Sequence, residues 1–435
     1  MKIRNEAHLS YCTNIHPGES WEEVFASLKQ YTLAVKEKMA PETDFGIGLR
    51  LSYESAVTLS QAENCSAFKN WLDENKTYVF TINGFPYGNF HGQQVKDQVH
   101  APDWLSHERV NYTCMLFDLL AQLLPKGMEG GISTSPLSYK YWYAIEEDRD
   151  LAKKKSCEHL VAVVLHLVQL NKWTGKKMHL DIEPEPDGLL ENTDDFIDFF
   201  QNYLLKDGVI ALIRQLKCTG AEARHYIREH LQLCYDVCHF AVAFEKPETV
   251  IQKMADSRIK IGKLQISAAL RCPVTDEVTT AELCRRLNQF NEPVYLHQAV
   301  LRTKSGALLK YPDLQQGIEA MQQHDPEELR THFHVPIFLP DYQGLYSTQE
   351  DIVTALEIWT KQPYTAHLEV ETYTWDVLPS QLQMDLTDAI QRELAWVLHC
   401  IEHKKENQKP PVKGIKYAAN SSHKHSRTHF RVIKG

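Results

Sequence analysis

Short runs of alternating apolar and polar residues recur along the chain, and a longer stretch with helical spacing follows each of them. That rhythm constrains the fold more than any single motif. The runs are "HLSYCTN", "DFGIGLRLS", "TYVFTINGF", "GGISTS", "KMHLDIEPE", "LQLCYDV", "IKIGKLQIS" and "HLEVETYTW". Eight strand-then-helix units predict a single α/β domain over residues 1–403, a (β/α)8 TIM barrel. One helix is expected over 20–39 behind a Ser20/Glu23 capping box, and a long one over 148–173. A doubly wound open sheet is the rival, but no Gly-rich phosphate loop follows any run. The rhythm breaks between strands seven and eight. There, about residues 271–330 read as an insertion with Ser305 and Gly306 at a hairpin turn, before "RTHFHVPIF".

Parity along the runs separates two faces, because side chains alternate across a strand. In "MHLDIEPE", Leu180 and Ile182 oppose His179, Asp181 and Glu183; in "HLEVETY", Leu368 and Val370 oppose Glu369 and Glu371. Asp236 shares a face with Gln232 and Cys234, Gln265 with Lys263 and Ser267, and His332 with His334. A barrel strand turns its apolar face to the helices, so these polar residues point inward near the carboxyl ends, where active sites of this fold lie. Converging buried carboxylates repel and lose hydration unless a cation or proton compensates. Glu183, Asp236, His239 and Glu371, with His334 and His332 as further imidazoles, are oxygen and nitrogen ligands suited to Mn, Zn, Mg, Fe or Co. The three-residue spacing lets the strand end supply Asp236 while the next turn swings His239 over the same cavity. Taken singly, each is also explained as a hydrogen-bonded interior residue; arriving from four strand ends, they point to a divalent metal.

A second group follows the third strand, in "TINGFPYGNFHGQQVKDQVHAPDW". Asn83 ends the strand, and Phe85, Tyr87 and His91 lie in a loop long enough to cover a barrel mouth and bind a ligand's apolar face and hydroxyls. Asn14 and His16 point to the same rim, as does Arg50, an anion clamp or the partner of a nearby carboxylate. Gln265 is expected at the ligand as well.

Charge bears on partners. Between Lys404 and Gly435 stand nine Lys or Arg against one Glu, so the remainder holds 38 basic against 56 acidic residues, a net of −18. Such a body is a poor nucleic-acid binder. Residues 404–435 are expected as a basic, flexible, solvated extension. The opening "MKIRNEAHLSYCTNIHPG" has no apolar stretch long enough for a signal peptide, and no later run has the length of a bilayer span, which sets the expectation of a cytoplasmic protein. Ten cysteines without CxxC pairs read as reduced thiols.

The order Glu at strand five, Asp-x-x-His at strand six, His-x-His in the late excursion and Glu at strand eight resembles the xylose-isomerase-like barrel superfamily. That group includes sugar-phosphate isomerases and epimerases and the endonuclease IV type of nuclease. More closely, "YCTNIHPGESWEEVF", "NGFPYGNFH", "KDQVHAPDW", "GGISTSPLSYK" and "HLDIEPEPDG" resemble the EboE family of metabolite traffic proteins, across nearly all of residues 5–403. The resemblance implies a metal-binding barrel that acts with partner proteins, among them a prenyltransferase-like membrane protein, in moving a metabolite toward the periplasm. It matches Glu183, Asp236 and Glu371 to metal carboxylates, His239 to the Asp-x-x-His histidine, His91 to the third-strand loop histidine, and His334 and His332 to the His-x-His segment. One departure stands out: epimerases place a metal histidine on strand seven, where this chain has Gln265. The superfamily chemistry would use Glu183 and Glu371 as base and acid in a proton transfer beside a metal-held carbonyl. A metal-dependent isomerase or epimerase, a non-catalytic metabolite binder and, against the charge argument, a nuclease-like phosphodiesterase remain the three readings.

Overall fold

A computed structural model describes residues 1–88, 96–342 and 344–402 of the chain. Seven parallel strands come first: β1 (His8–Tyr11), β2 (Phe45–Arg50), β3 (Thr77–Asn83), β4 (Gly130–Thr134), β5 (Met178–Ile182), β6 (Leu231–Asp236) and β7 (Ile261–Ile266). Six more follow, β8 (Leu270–Pro273), β9 (Ala299–Thr303), β10 (Leu308–Tyr311), β11 (Pro326–Thr331), β12 (Asp341–Tyr342) and β13 (Leu345–Ser347), before β14 (His367–Val370). β14 rejoins the first seven in a parallel sheet of order β1-β14-β7-β6-β5-β4-β3-β2, and a parallel bridge between Cys12 and Gly48 brings its two ends together. The chain is a (β/α)8 barrel.

The helices form where capping and apolar spacing require them. Ser20 and Glu23 make the expected reciprocal cap on helix Trp21–Ser27. The helical stretch expected over 20–39 runs on through a π-helical segment, Leu28–Thr32, into Leu33–Met39. The long helix spans Glu146–Thr174 and ends on Gly175 at φ +71°, a left-handed position that glycine takes without steric cost. Strand residues on the apolar face, such as Ile132, Leu180, Leu233, Leu264 and Leu368, are fully buried in one apolar cluster between sheet and helices. Among the described residues, no helix is long and apolar enough to cross a membrane.

Inside the barrel the lower layer is polar. Lys263 Nζ donates to Glu369 Oε2 at 2.7 Å and to Ser133 Oγ at 3.2 Å, with both members of the ion pair fully buried. Burial works against the lysine's charge, but the Glu369 carboxylate beside it holds its pKa above the ordinary range. Glycine makes room for this layer: a Cβ on Gly48 would sit 1.8 Å from Glu369 Oε1, and one on Gly262 1.8 Å from Asp181 Oδ1.

The interruption between β7 and β14 is larger than expected. It builds its own six-stranded sheet, order β10-β9-β11-β8-β13-β12, and runs from Leu270 to Ser347 rather than over about 271–330. Its β9–β10 hairpin turns at Gly306, φ +86°, as the Ser-Gly pair predicts. The segment "RTHFHVPIF" thus belongs to this sheet and its exit, and not to the barrel wall. Residues 404–435 lie outside the described residues.

Candidate metal centre

Three carboxylates gather at one end of the barrel because three strands end there. Glu183 follows β5, with its N–H donating to the Thr134 carbonyl at 3.0 Å; Asp236 closes β6; Glu371 follows β14, with its N–H on the Ile266 carbonyl at 3.1 Å. Their oxygens lie within 4.8 Å of one another, and all three side chains are buried. Asp236 also caps helix Val237–Val242, accepting from the N–H of Cys238 at 2.8 Å and of His239 at 3.3 Å. That turn carries His239 over the same space.

Gln265 stands in register with Asp236 on β6 and Glu369 on β14. Its Nε2 donates to Glu183 Oε1 and Asp236 Oδ2, each at 3.1 Å, and to Glu371 Oε2. A primary amide carries two hydrogens, so three carboxylates cannot all be satisfied by it. Glu183 Oε2 is buried with no hydrogen-bond partner. Burial, with Glu371 and Asp236 beside it, pushes Glu183 well above the usual carboxylate range, and burial with Asp236 and Glu369 does the same to Glu371. Burial opposes ionisation of Asp236 too, but His239, His334 and the Ser267 hydroxyl at 2.5 Å outweigh it and hold this carboxyl below its ordinary value. Within the trio the surroundings thus favour the anion at Asp236 and disfavour it at Glu183 and Glu371. This donor set fits a divalent ion.

Imidazoles cover the trio. His239 Nδ1 lies 3.0 Å from the Pro184 carbonyl, His334 Nδ1 2.9 Å from the Glu371 carbonyl, and His332 Nδ1 2.8 Å from Gln298 Oε1. His239 Nε2 faces His332 Nε2 at 3.1 Å, while His334 Nε2 is buried without a partner. Asp236, His239 and His334 place ligand atoms within 4.8 Å of one another, as do Glu185, His239 and His332. Burial lowers His334 to about 4, so it stays a neutral donor at ordinary pH.

Above these groups a cleft, partly open to solvent, is lined by Asn14, Asn83, Phe85, Glu183, His239, His332, His334 and Glu371. Asn14 and Asn83 each donate Nδ2 to Glu371 Oε1, at 2.7 and 3.0 Å. Gln265 lies beneath, on the carboxylates. Three expected ligand contacts are placed elsewhere. Arg50 donates to Glu19 Oε2 at 3.0 Å and to the Gly88 carbonyl at 2.6 Å, so its charge is spent on the loop and not offered to the cleft. His16 bonds the Tyr11 hydroxyl at 2.8 Å and stacks on Tyr31, and Tyr87 stacks on Tyr53; neither lines the cleft. His91 lies outside the described residues. Glu185, Tyr295 and Tyr373 line the cleft without having been singled out. Glu185 had a signal, since "EPE" repeats the parity of Glu183, whereas Tyr295 and Tyr373 had none short of the tertiary fold.

No protein-family model matches the chain, and no curated protein matches it in sequence. Among solved structures, it is similar to a xylose isomerase-like TIM barrel protein from Mycobacterium smegmatis in complex with magnesium, at 12% identity and a TM-score of 0.47, over 92% of this chain and 98% of that one. It is also similar to the IOLI protein with a binding zinc atom, at 11% identity and TM-score 0.45, over 91% and 98% of the two chains. A third is the probable 3-DHS dehydratase AsbF of Bacillus anthracis, at 11% and 0.42, over 90% and 98%.

Proposed function

We propose that the cleft binds a divalent cation and a small hydroxylated metabolite and moves a proton between neighbouring carbons, as an isomerase or epimerase. The observation that carries this reading is the burial of Glu183, Asp236 and Glu371 around a single neutral amide. Glu183, Asp236 and Glu371 would hold the ion, with His239 and His334 as neighbouring nitrogen donors. A bound ion would supply Lewis acidity toward a substrate oxygen. Glu183 and Glu371 are the carboxyl groups that would take and return the proton. Asn14 and Asn83 fix one oxygen of Glu371 and so aim the other. His332 and Gln298 offer contacts to hydroxyl groups, and Phe85, Tyr295 and Tyr373 keep water from the reacting carbons. The EboE resemblance sets the metabolite in a traffic pathway with partner proteins, in the cytoplasm.

Binding without turnover is the second reading. Gln265 favours it, because an amide stands on the trio where a stronger metal ligand would hold an ion more tightly. Purified protein loaded with Mn or Co, tested against a broad panel of ketoses and hydroxylated metabolites, should interconvert at least one, and Glu183→Gln and Glu371→Gln should abolish that turnover. Metabolite binding with no turnover across the panel would select the second reading. Metal content that is nil in the parent, or unchanged in both Glu183→Ala and Asp236→Ala, would end both.

A further inference from the structure

We infer that the guest of this cleft carries an uncharged apolar body, an aryl or branched alkyl group, behind its hydroxylated head, and that Asp313 keeps phosphorylated molecules out. The inference rests on the cleft reading above and names the class of molecule admitted. Away from the carboxylate trio, the polar lining side chains already have partners within the protein: Asn14 and Asn83 on Glu371, Gln298 on His332 and the Pro186 carbonyl, and His100 on Glu185. Much of the rest is apolar. Phe85, Pro86 and Val99 line the cleft from the loop after β3, and Tyr295, Leu296 and Tyr373 line it from the inserted segment and the turn after β14. These walls are set before a guest arrives. Arg109, fully buried, donates to the Gly84 and Phe85 carbonyls at 2.8 and 3.0 Å, and Asn83 Oδ1 accepts from the Phe85 N–H at 3.1 Å. Tyr373 packs on Tyr295 and His334, with ring centres 5.1 and 4.7 Å apart. Val99 and Leu296 are only half-buried, so part of each stands in the cleft, and an apolar guest would take that surface out of water.

Charge decides against a phosphate. Among the described lining residues Lys96 is the only lysine or arginine, and its Nζ is held by Asp313 Oδ2 at 2.6 Å. The lysine is thus a strut from the loop after β3 to the inserted segment, and not a hook for anions. Glu185 adds its charge to the carboxylates already in the cleft, so an anionic group away from the metal would meet repulsion with no cation to offset it. Asp313 has a separate duty on each oxygen. Its Oδ1 accepts from the Leu314 N–H at 3.0 Å and the His297 N–H at 3.2 Å, which caps helix Leu314–Gln323, while Oδ2 takes Lys96. An asparagine there keeps the first duty through its single oxygen. It gives up the second, because its NH2 group stands against the ammonium, and the lysine is released.

The test uses three probes that share an α-hydroxyketone head: hydroxyacetone, benzyl hydroxymethyl ketone and dihydroxyacetone phosphate. Calorimetry on the Mn-loaded full chain gives a Kd for each. Benzyl hydroxymethyl ketone should bind on the order of 30-fold tighter than hydroxyacetone, the effect of covering one phenyl ring, and dihydroxyacetone phosphate should bind no tighter than hydroxyacetone. Leu296→Asn should weaken the benzyl ketone about 5-fold and leave hydroxyacetone unchanged. Asp313→Asn should tighten the phosphate about 5-fold and leave the benzyl ketone unchanged. Should Leu296→Asn fail to fold, as judged by its melting curve, the parent ratios and Asp313→Asn decide. A parent that prefers the phosphate, or ratios that neither substitution moves, overturns the inference and leaves the proton-transfer reading standing. A benzyl ketone bound but never turned over upholds the class of guest and removes the catalytic reading. If the chain takes up no Mn, the same ratios on the metal-free protein decide, and binding of no probe overturns the inference.

Discussion

At the residue scale, Gln265 and Asp236 each hold more than one part of the site together. Removing the Gln265 amide in Gln265→Leu leaves buried carboxylates without their shared donor, and the chelator-treated protein should lose about 1–3 kcal/mol by urea unfolding. Added Mn should recover much of that loss, because a cation fills the same space. Asp236 has two jobs that substitution separates. Asp236→Asn keeps an acceptor for the Cys238 and His239 N–H groups, whereas Asp236→Ala loses the cap as well and should be about 1 kcal/mol less stable than Asn. Both should lose metal, so comparing their unfolding midpoints with their metal content divides cap from ligand. Parity made Glu183, Asp236, Gln265 and Glu371 legible in the sequence, since one step along a strand decides which face a residue takes. Arg50 shows where parity stops. It gives the side a side chain leaves from, but a long flexible arginine ends where its partners are, and Glu19 and Gly88 lie away from the cleft.

At the element scale, "RTHFHVPIF" contributes only Arg330 and Thr331 to β11, which pairs antiparallel with β8 and β9, while 332–338 lie beyond the strand; alternation says neither where a strand stops nor which sheet it joins. The consequence is chemical, because His332 and His334 reach the barrel mouth on the exit of an inserted sheet. The last helix, Leu386–Glu402, braces that exit: Glu393 Oε1 accepts from the Ile337 N–H at 3.2 Å and the Thr372 hydroxyl at 2.8 Å. Burial raises Glu393 to about 8. A carboxyl whose folded pKa is raised binds its proton more tightly when folded, so its contribution is whole below about 4.5 and is lost as pH rises through about 8. Glu393→Gln, which keeps the neutral shape, should flatten the pH dependence of the urea midpoint between those values. A dependence unchanged from the parent would show that Glu393 is not its source.

At the scale of the whole molecule, the number and order of strand–helix units were readable because eight runs and their parity agree on one closed ring. The lumen's lower layer was not. Lys263 and Glu369 lie on inward parity, but only closure of the ring brings them to 2.7 Å. Lys263→Met strands a buried carboxylate and should cost about 3–5 kcal/mol, measured by chemical unfolding, while the double variant with Glu369→Leu should recover most of it. Equal losses in the single and double variants would mean that packing, not charge, dominates there. The same plug has a bearing on handling of any small molecule. Lys263, Glu369 and Ser133 are joined across the lumen beneath the cleft, which fills the barrel interior at that level as side chains do in this fold. A guest of the cleft would therefore leave by the rim at which it came in.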